Sequence, residues 1–335
     1  MTALPLSGQA GWAITDGKAG MAIQVEGIAA ALGLDCRTIT VTPRLPWRLM
    51  APWGPPDPHD RPGAPGSQMA PPYPAVALAT GRLSIPYLRD LRRRAGARTL
   101  TVVVQDPRTG AGTADVVAVP AHDALTGPNV IRTLTAPHAF SPLRLAALRA
   151  SPPPEISALT SPRVAVMLGG PNAVYRYGAE TAARLERSLA SLVACGASLM
   201  ITPSRRTPPE VVAASVRACA GNPFLLWEGR GANPYAQYLA SADALVVTAD
   251  SVNMTGEACA TGKPVWVFEP EGGSAKFNRF HDALRRYGAT MPLPAAFGQL
   301  ESWTYAPLDS AALIAREIER RWLARQRREK PEINR

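Results

Sequence analysis

The chain has 335 residues, of which 46% are hydrophobic and only 19% charged, and it carries a formal net charge of +10. That length exceeds what one hydrophobic core usually organises, so two domains are expected, and the apolar content excludes a disordered chain. Apolar runs such as Val164 to Leu168 stop far short of the roughly twenty residues that span a bilayer, which excludes a transmembrane helix. The start shows no positive stretch ahead of an apolar one, so no secretory signal is read there and a cytosolic protein is expected.

Cys36, Cys195, Cys219 and Cys259 are widely separated, which excludes CxxC metal knuckles and argues for small buried hydrophobes. His59, His122, His138 and His281 share no ligand spacing, so neither a metal nor another cofactor is expected. From Arg316 onward eight Arg/Lys stand against four Asp/Glu, and the remaining positive charge is diffuse. No stripe of basic residues interleaved with aromatics appears, so nucleic acid is excluded as a partner and anionic small molecules or an acidic membrane surface fit better. The chain uses 32 Arg but four Lys, namely Lys18, Lys263, Lys276 and Lys330. Lys18 and Lys276 lie in loops beside helix starts, where a compact ammonium has a use.

In chain order, Gly11 to Thr15 reads as a strand, Asp16-Gly17-Lys18-Ala19-Gly20 as a tight loop, and Val25, Ile28 and Leu32 as the inner face of a helix. Strands at 36–41, 75–79, 99–105 and 115–119 follow, with a helix over 83–95. Residues 43–74 include eleven prolines and exclude a helix or a central strand. A loop that long is expected to be functional or disordered. Its front part mixes Arg44, Trp47, Arg48 and Trp53, a composition suited to a membrane interface or a partner groove.

Residues 137–162, with three consecutive prolines, read as a linker. Beyond it, strands at 164–168, 198–202, 224–227, 245–248 and 264–268 alternate with helices at 180–195, 210–219, 254–261 and 276–287, and 311–328 forms an amphipathic terminal helix. The expected class is α/β, with two doubly wound, Rossmann-like parallel sheets flanking a cleft. The domains are placed at 1–150 and 151–305, and 306–335 supplies a helix crossing between them and a basic tail.

In open parallel sheets ligands bind at the carboxyl ends of strands, where helix starts offer free N–H groups to anions. The first half places Asp16, Gly17 and Lys18 there, followed on the helix by Gln24, then Thr80 and Arg82, then Gln105, Asp106 and Arg108. The second half places Gly169, Gly170 and Asn172, then Ser204, Arg205 and Arg206, then Ser251 and Asn253 ahead of Glu257, and finally Lys276. The run from Val246 to Val265 is the most specific. Its strand ends in Asp/Ser/Asn residues that cap a short helix bearing Glu257, which Gly262 stops.

This run resembles the sugar-nucleotide site of GT-B-fold glycosyltransferases, including the lipid-linked peptidoglycan enzymes. The resemblance implies that Ser251 and Asn253 meet a diphosphate and Glu257 the ribose. The combination of Asp16-Gly-Lys-Ala-Gly20 with Gln24, Thr80-Gly81-Arg82, Gln105-Asp106-Pro107-Arg108, Gly169-Gly170-Pro171, Ser204-Arg205-Arg206 and Asp250-Ser251-Val-Asn253-Met254 is similar to the mitochondrial-fission, elongated-mitochondria-type family and its bacterial members, over about Trp12 to Tyr305. Bacterial members have been labelled nucleoside-diphosphate-sugar epimerases, and plant members are associated with recruiting a dynamin-type division protein.

Three readings follow. The first is a sugar-nucleotide-dependent, glycosyltransferase-like protein: Gly169, Gly170, Asn172, Ser204, Arg205, Arg206, Ser251, Asn253 and Lys276 hold the diphosphate, Glu257 the ribose, and Asp16, or else Asp106, serves as general base. In it Gly17, Lys18, Gln24, Thr80, Arg82, Gln105 and Arg108 face the acceptor, and Arg82 and Arg108 grip acidic groups or else pair with Asp106 or Asp115. The lipid-linked enzymes carry a longer glycine loop and a His where this chain has Asp16 and Lys18, so their acceptor base does not transfer. The second is a nucleoside-diphosphate-sugar epimerase using Asp16, Asp106 and Glu271. The third is a non-catalytic membrane adaptor of the mitochondrial-fission type, docking on anionic surfaces through Arg44, Trp47, Arg48, Trp53 and the terminal helix.

Overall fold

A computed structural model describes residues 5–121 and 123–329. His122, Lys330 and the end of the basic tail lie outside the described residues. The chain forms two compact units, one comprising the chain up to Ala139 and again from Asp309, the other Phe140–Leu308.

The first unit runs β1 (Ala10–Thr15), α1 (Ala19–Leu32), β2 (Asp35–Thr40), α2 (Trp47–Met50), β3 (Val76–Thr80), α3 (Ile85–Ala95), β4 (Leu100–Val104), β5 (Val116–Pro120) and β6 (Val130–Thr133). The second runs α4 (Pro142–Ala150), α5 (Pro154–Ser157), β7 (Arg163–Leu168), β8 (Tyr175–Arg176), α6 (Ala179–Ala194), β9 (Ser198–Pro203), α7 (Pro209–Arg217), β10 (Phe224–Leu226), α8 (Tyr235–Ser241), β11 (Ala244–Thr248), α9 (Val252–Cys259), β12 (Val265–Phe268), β13 (Glu271–Gly272), α10 (Ala275–Tyr287) and β14 (Thr290–Pro292). The chain then returns to the first unit as α11 (Ser310–Glu329).

Both main sheets are parallel and six-stranded, ordered β2-β1-β3-β4-β5-β6 and β10-β9-β7-β11-β12-β14. The strand sequences dictate this, because β3 (Val-Ala-Leu-Ala-Thr) and β4 (Leu-Thr-Val-Val-Val) are buried at every residue, as a sheet covered on both faces requires. With a period of two, Val76 and Leu78 face α1 and α11, whereas Ala77 and Ala79 face α3. Each sheet has a topological switch point, where connections leave in opposite directions: between β1 and β3 in the first, and between β7 and β11 in the second. Ligand crevices in such sheets open at these points.

Three differences from the sequence reading have physical causes. The segment expected as a linker holds α4 and α5 and belongs to the second unit from Phe140, burying Leu145 and Ile156. Helix α11, expected to cross between domains, packs its Ala311, Ile314, Ala315 and Ile318 into the core shared with α1. Replacing the fully buried Ile314 by alanine should therefore cost about 2–5 kcal/mol in urea unfolding, and a loss below 1 kcal/mol would show that the helix is dispensable for the unit. The proline-rich loop holds no central strand, and its only helical pieces are the one-turn α2 and a 3-10 turn at Pro58–Asp60, but it is firmly tied down. Arg44 makes a two-pronged pair with buried Asp57 at 2.7 and 2.8 Å, Arg82 Nη1 donates to the Ala51 carbonyl at 2.6 Å, and Arg89 Nη1 donates to that of Trp53 at 3.0 Å.

Candidate functional site

At the switch point of the first sheet, Asp16 follows β1, and Thr80 ends β3 with Gly81 next to it. The Asp16 side chain is only 3% exposed and pairs with Lys18 Nζ at 3.3 Å. Its Oδ1 and the Thr80 hydroxyl are buried without a hydrogen-bond partner, as an incomplete polar pocket would be. Gly81 is required there: its φ is +87°, and a Cβ would stand 2.6 Å from the Asp16 carboxyl carbon. Gln105, at φ +76°, donates from Nε2 to buried Gln24 Oε1 at 3.2 Å, which sets both amides beneath this point. Gly17 takes φ +82° and leads the chain into α1.

Two residues expected here have other work. Asp106 is exposed and its Oδ1 caps the Arg108 amide at 2.8 Å, the local turn bond that Asp favours, so the structure gives it a turn role rather than that of a buried base. Arg82 is spent on the proline-rich loop, while Asp115 pairs with Arg92 and Arg325 instead of Arg82 or Arg108. Arg108 is exposed and held at φ +61°.

The second switch point gathers the loops after β7, β9 and β11. Its organiser is Asp250, which the sequence suggested only as a helix cap. Buried, it accepts hydrogen bonds from the Gly170 amide (2.9 Å), the Tyr177 hydroxyl (2.6 Å) and the Thr248 hydroxyl (2.7 Å), and it pairs with Arg206 at 3.4 Å. Thr248 in turn accepts the Gly169 amide at 2.7 Å. Both glycine amides, expected to meet phosphate, are thus already engaged. Arg206 also donates to the carbonyls of Gly170 (3.2 Å) and Pro171 (2.8 Å), so it clamps the glycine loop instead of projecting as a free cation.

Asn172 and Ser204 are also structural. Asn172 Oδ1 accepts the amides of Val174 and Tyr175, and Ser204 Oγ accepts that of Arg206. Arg205 stays exposed, as does Lys276 on the first turn of α10. Ser251 caps α9 as expected, its Oγ accepting the Met254 amide at 3.3 Å, and Asn253 follows in that first turn.

Glu257 lies one turn further along α9, only 7% exposed, with the Tyr235 hydroxyl donating to its Oε2. Burial pushes its pKa up from 4.5 to about 7, against the opposing pull of the Tyr235 hydrogen bond. It is therefore a buried carboxyl, not a surface one. Tyr235 and Tyr177, and the organising role of Asp250, escaped the sequence reading because the partners lie 22 to 80 residues apart. Among the described residues no cluster of His, Cys, Asp and Glu could hold a metal ion, and no helix is long and apolar enough to cross a membrane. Cys219 and Cys259 are buried and Cys36 and Cys195 half-buried, and burial pushes the Cys36 and Cys219 thiols up to about 11.

A family model described as mitochondrial fission ELM1 matches residues 19–322. The mitochondrial fission protein ELM1 of Arabidopsis thaliana is 34% identical over 276 residues, a match covering 75% of this chain and 65% of that protein, so the chain spans less than two thirds of this relative. Among solved structures, a UDP-GlcNAc 2-epimerase from Methanocaldococcus jannaschii aligns over 92% of this chain and 99% of its own, with a TM-score of 0.50 and 9% identity. The UDP-GlcNAc 2-epimerase from Neisseria meningitidis, solved bound to UDP-GlcNAc, aligns over 93% and 100%, with a TM-score of 0.50 and 10% identity. Likeness at that identity is one of fold, the pairing of two Rossmann-like units found in GT-B proteins.

Proposed function

Because this chain belongs to the mitochondrial fission ELM1 family and has a GT-B-like fold, we propose that it is a sugar-nucleotide-dependent, glycosyltransferase-like protein of the cytosol, working at a membrane surface. The observation that carries the reading is Glu257, a carboxyl buried on a helix that starts at the switch point of a Rossmann-ordered sheet. Burying a carboxyl costs stability unless a partner uses it, and a pair of ribose hydroxyls is such a partner. The neighbour from Neisseria meningitidis, with a fold of this kind, was solved with UDP-GlcNAc.

In this proposal the diphosphate lies at the Ser251-capped start of α9, where the helix dipole and free amides favour it. Exposed Arg205 and Lys276 supply the cations that stabilise the leaving diphosphate, with no metal ion required, while Arg206 and Asp250 hold the glycine loop in shape. Asp16 receives the proton of an acceptor hydroxyl, consistent with its unpartnered Oδ1. The membrane-surface part rests on Leu45, Leu49, Met50 and Trp53, which are exposed together beside Arg48.

Thermal unfolding in the presence of nucleotides and nucleotide sugars tests this. The melting temperature is expected to climb with ligand concentration, by the equivalent of about 2.7 kcal/mol at a hundredfold excess over Kd. No shift with any nucleoside diphosphate or its sugar conjugate would overturn the proposal. Release of an isomerised sugar nucleotide without any acceptor would assign the epimerase reaction instead.

A further inference from the structure

On the first unit, arginines from α3 and α11 converge on one carboxylate. Asp115 Oδ1 lies 3.1 Å from Arg92 Nη2 and 3.2 Å from Arg325 Nη2, while its Oδ2 is taken by the Thr101 amide (2.8 Å) and hydroxyl (2.9 Å). A single negative charge therefore anchors two positive ones. On one side of this junction lies a cavity of about 340 Å³ lined by Trp53, Pro55, Pro86, Arg89, Arg92 and Arg93. On the other lies one of about 350 Å³ lined by Leu100, Asp115, Arg320, Arg321, Arg325 and Arg328. Among the described residues no carboxylate lines the first cavity and only Asp115 lines the second. Asp90 and Glu317 offset part of this charge, through Arg93 and through Arg320 and Arg321, but positive charge remains in excess.

Several of these guanidinium groups are preset. Arg92 donates to the Gly112 carbonyl (2.5 Å), Arg321 to those of Asp115 (3.1 Å) and Pro128 (2.8 Å), and Arg325 to those of Ala97 (3.1 Å) and Thr99 (3.0 Å). Each guanidinium has five N–H donors, so these bonds fix its position and leave others for a ligand. Trp53, 63% exposed, forms the wall of the first cavity, and the turn that carries it follows directly on α2, whose Leu49 is 71% exposed. A basic cavity beside an aromatic and aliphatic patch matches a phosphate at the level of the headgroups with apolar side chains just beneath. A soluble polyanion has no use for the apolar half.

We propose that the two arginine cavities flanking Asp115 receive the phosphates of anionic lipid headgroups while Trp53 and Leu49 enter the interface beside them. This rests on the membrane-surface reading above and names the contact for it. The test is co-sedimentation of the full chain with vesicles of phosphatidylcholine alone or mixed with phosphatidylglycerol. Exposed positions are chosen so that the fold survives: Arg93→Gln with Arg328→Gln, and separately Leu49→Ser with Trp53→Ser, each checked by its melting temperature. Binding is expected on the anionic vesicles only, weakening about twenty-five-fold in the arginine pair, since each basic residue at such a surface contributes about a fivefold factor. The apolar pair should weaken binding to the same vesicles.

Absence of binding to either vesicle by the parent chain would overturn the membrane reading and this inference together. Equal binding to both vesicles, or unchanged binding by the arginine pair, would overturn the headgroup assignment and leave the membrane reading standing. Binding that survives the apolar substitutions and is displaced by a soluble polyanion such as heparin would assign the face to a soluble partner instead.

Discussion

Gly170→Ala is expected to lower the stability of the second unit by about 3 kcal/mol or more and, under the proposed function, to abolish nucleotide binding, with Gly178→Ala nearly silent. A Cβ on Gly170 would stand 2.2 Å from the Arg206 carbonyl oxygen and 2.4 Å from its carbon, both backbone atoms that no rotamer change can move. The obstructed loop cannot drift away, because the Ser204 amide is bonded to the Leu168 carbonyl at 2.8 Å and the Thr207 hydroxyl to that of Gly169 at 2.5 Å. Relief therefore means breaking that turn or pulling the Gly170 amide off buried Asp250, which would leave a buried carboxylate short of a donor. Gly178, with φ −109° and nothing within 4 Å of the added carbon, isolates the steric term from the generic effect of losing a glycine. Urea unfolding of the three proteins reads the outcome from the midpoints, provided the slope is unchanged. A Gly170→Ala chain within 1 kcal/mol of the parent would mean that the glycine loop is loose and is no preformed site.

The same loop shows where sequence reasoning reaches and where it stops. Buried β-branched strands followed by glycine and polar residues placed the right loops at the carboxyl ends of the right strands, because that signal is local. The roles within those loops were not local. Arg206 reads as a phosphate ligand until Asp250, 44 residues on, is seen to hold it. Asn172, Ser204 and Asp106 read as ligand or catalytic groups, yet each spends its side chain on an amide two residues ahead, the competing use that short polar side chains always offer. Strands β6 and β14 went unread because each has partly exposed residues and lies at a sheet edge, so their apolar runs are short and interrupted. Helix α8 follows a run of Gly, Asn and Pro that looks like pure loop. In the proline-rich loop the prolines kept out a central strand and any helix longer than the single turns at Trp47–Met50 and Pro58–Asp60, but the order comes from Arg44, Arg82 and Arg89 reaching across 13 to 36 residues.

Glu257 is expected to contribute a falling slope to the pH dependence of the second unit, set against the rising one from buried His281, whose pKa burial lowers. Burial holds its pKa at about 7 in the folded chain, against 4.5 for an ordinary glutamate. Between these values the folded protein keeps a proton that the unfolded chain gives up, so unfolding releases it and stability falls as pH rises. The loss is expected to reach about 3 kcal/mol across the interval from pH 4.5 to 7 and to level off above it. Glu257→Gln removes the ionisation while keeping an oxygen for the Tyr235 hydroxyl, so its profile should lose that slope and the variant should be the more stable chain at pH 8. Urea unfolding of both proteins at pH 5 and pH 8 decides, and parallel profiles would show that Glu257 is not the group responsible. If a ribose does take the place of solvent at this carboxyl, the same variant should bind nucleotides more weakly despite its greater stability. A residue kept for packing alone would not separate the two properties, since the chain gives up stability near neutral pH to retain an ionisable group.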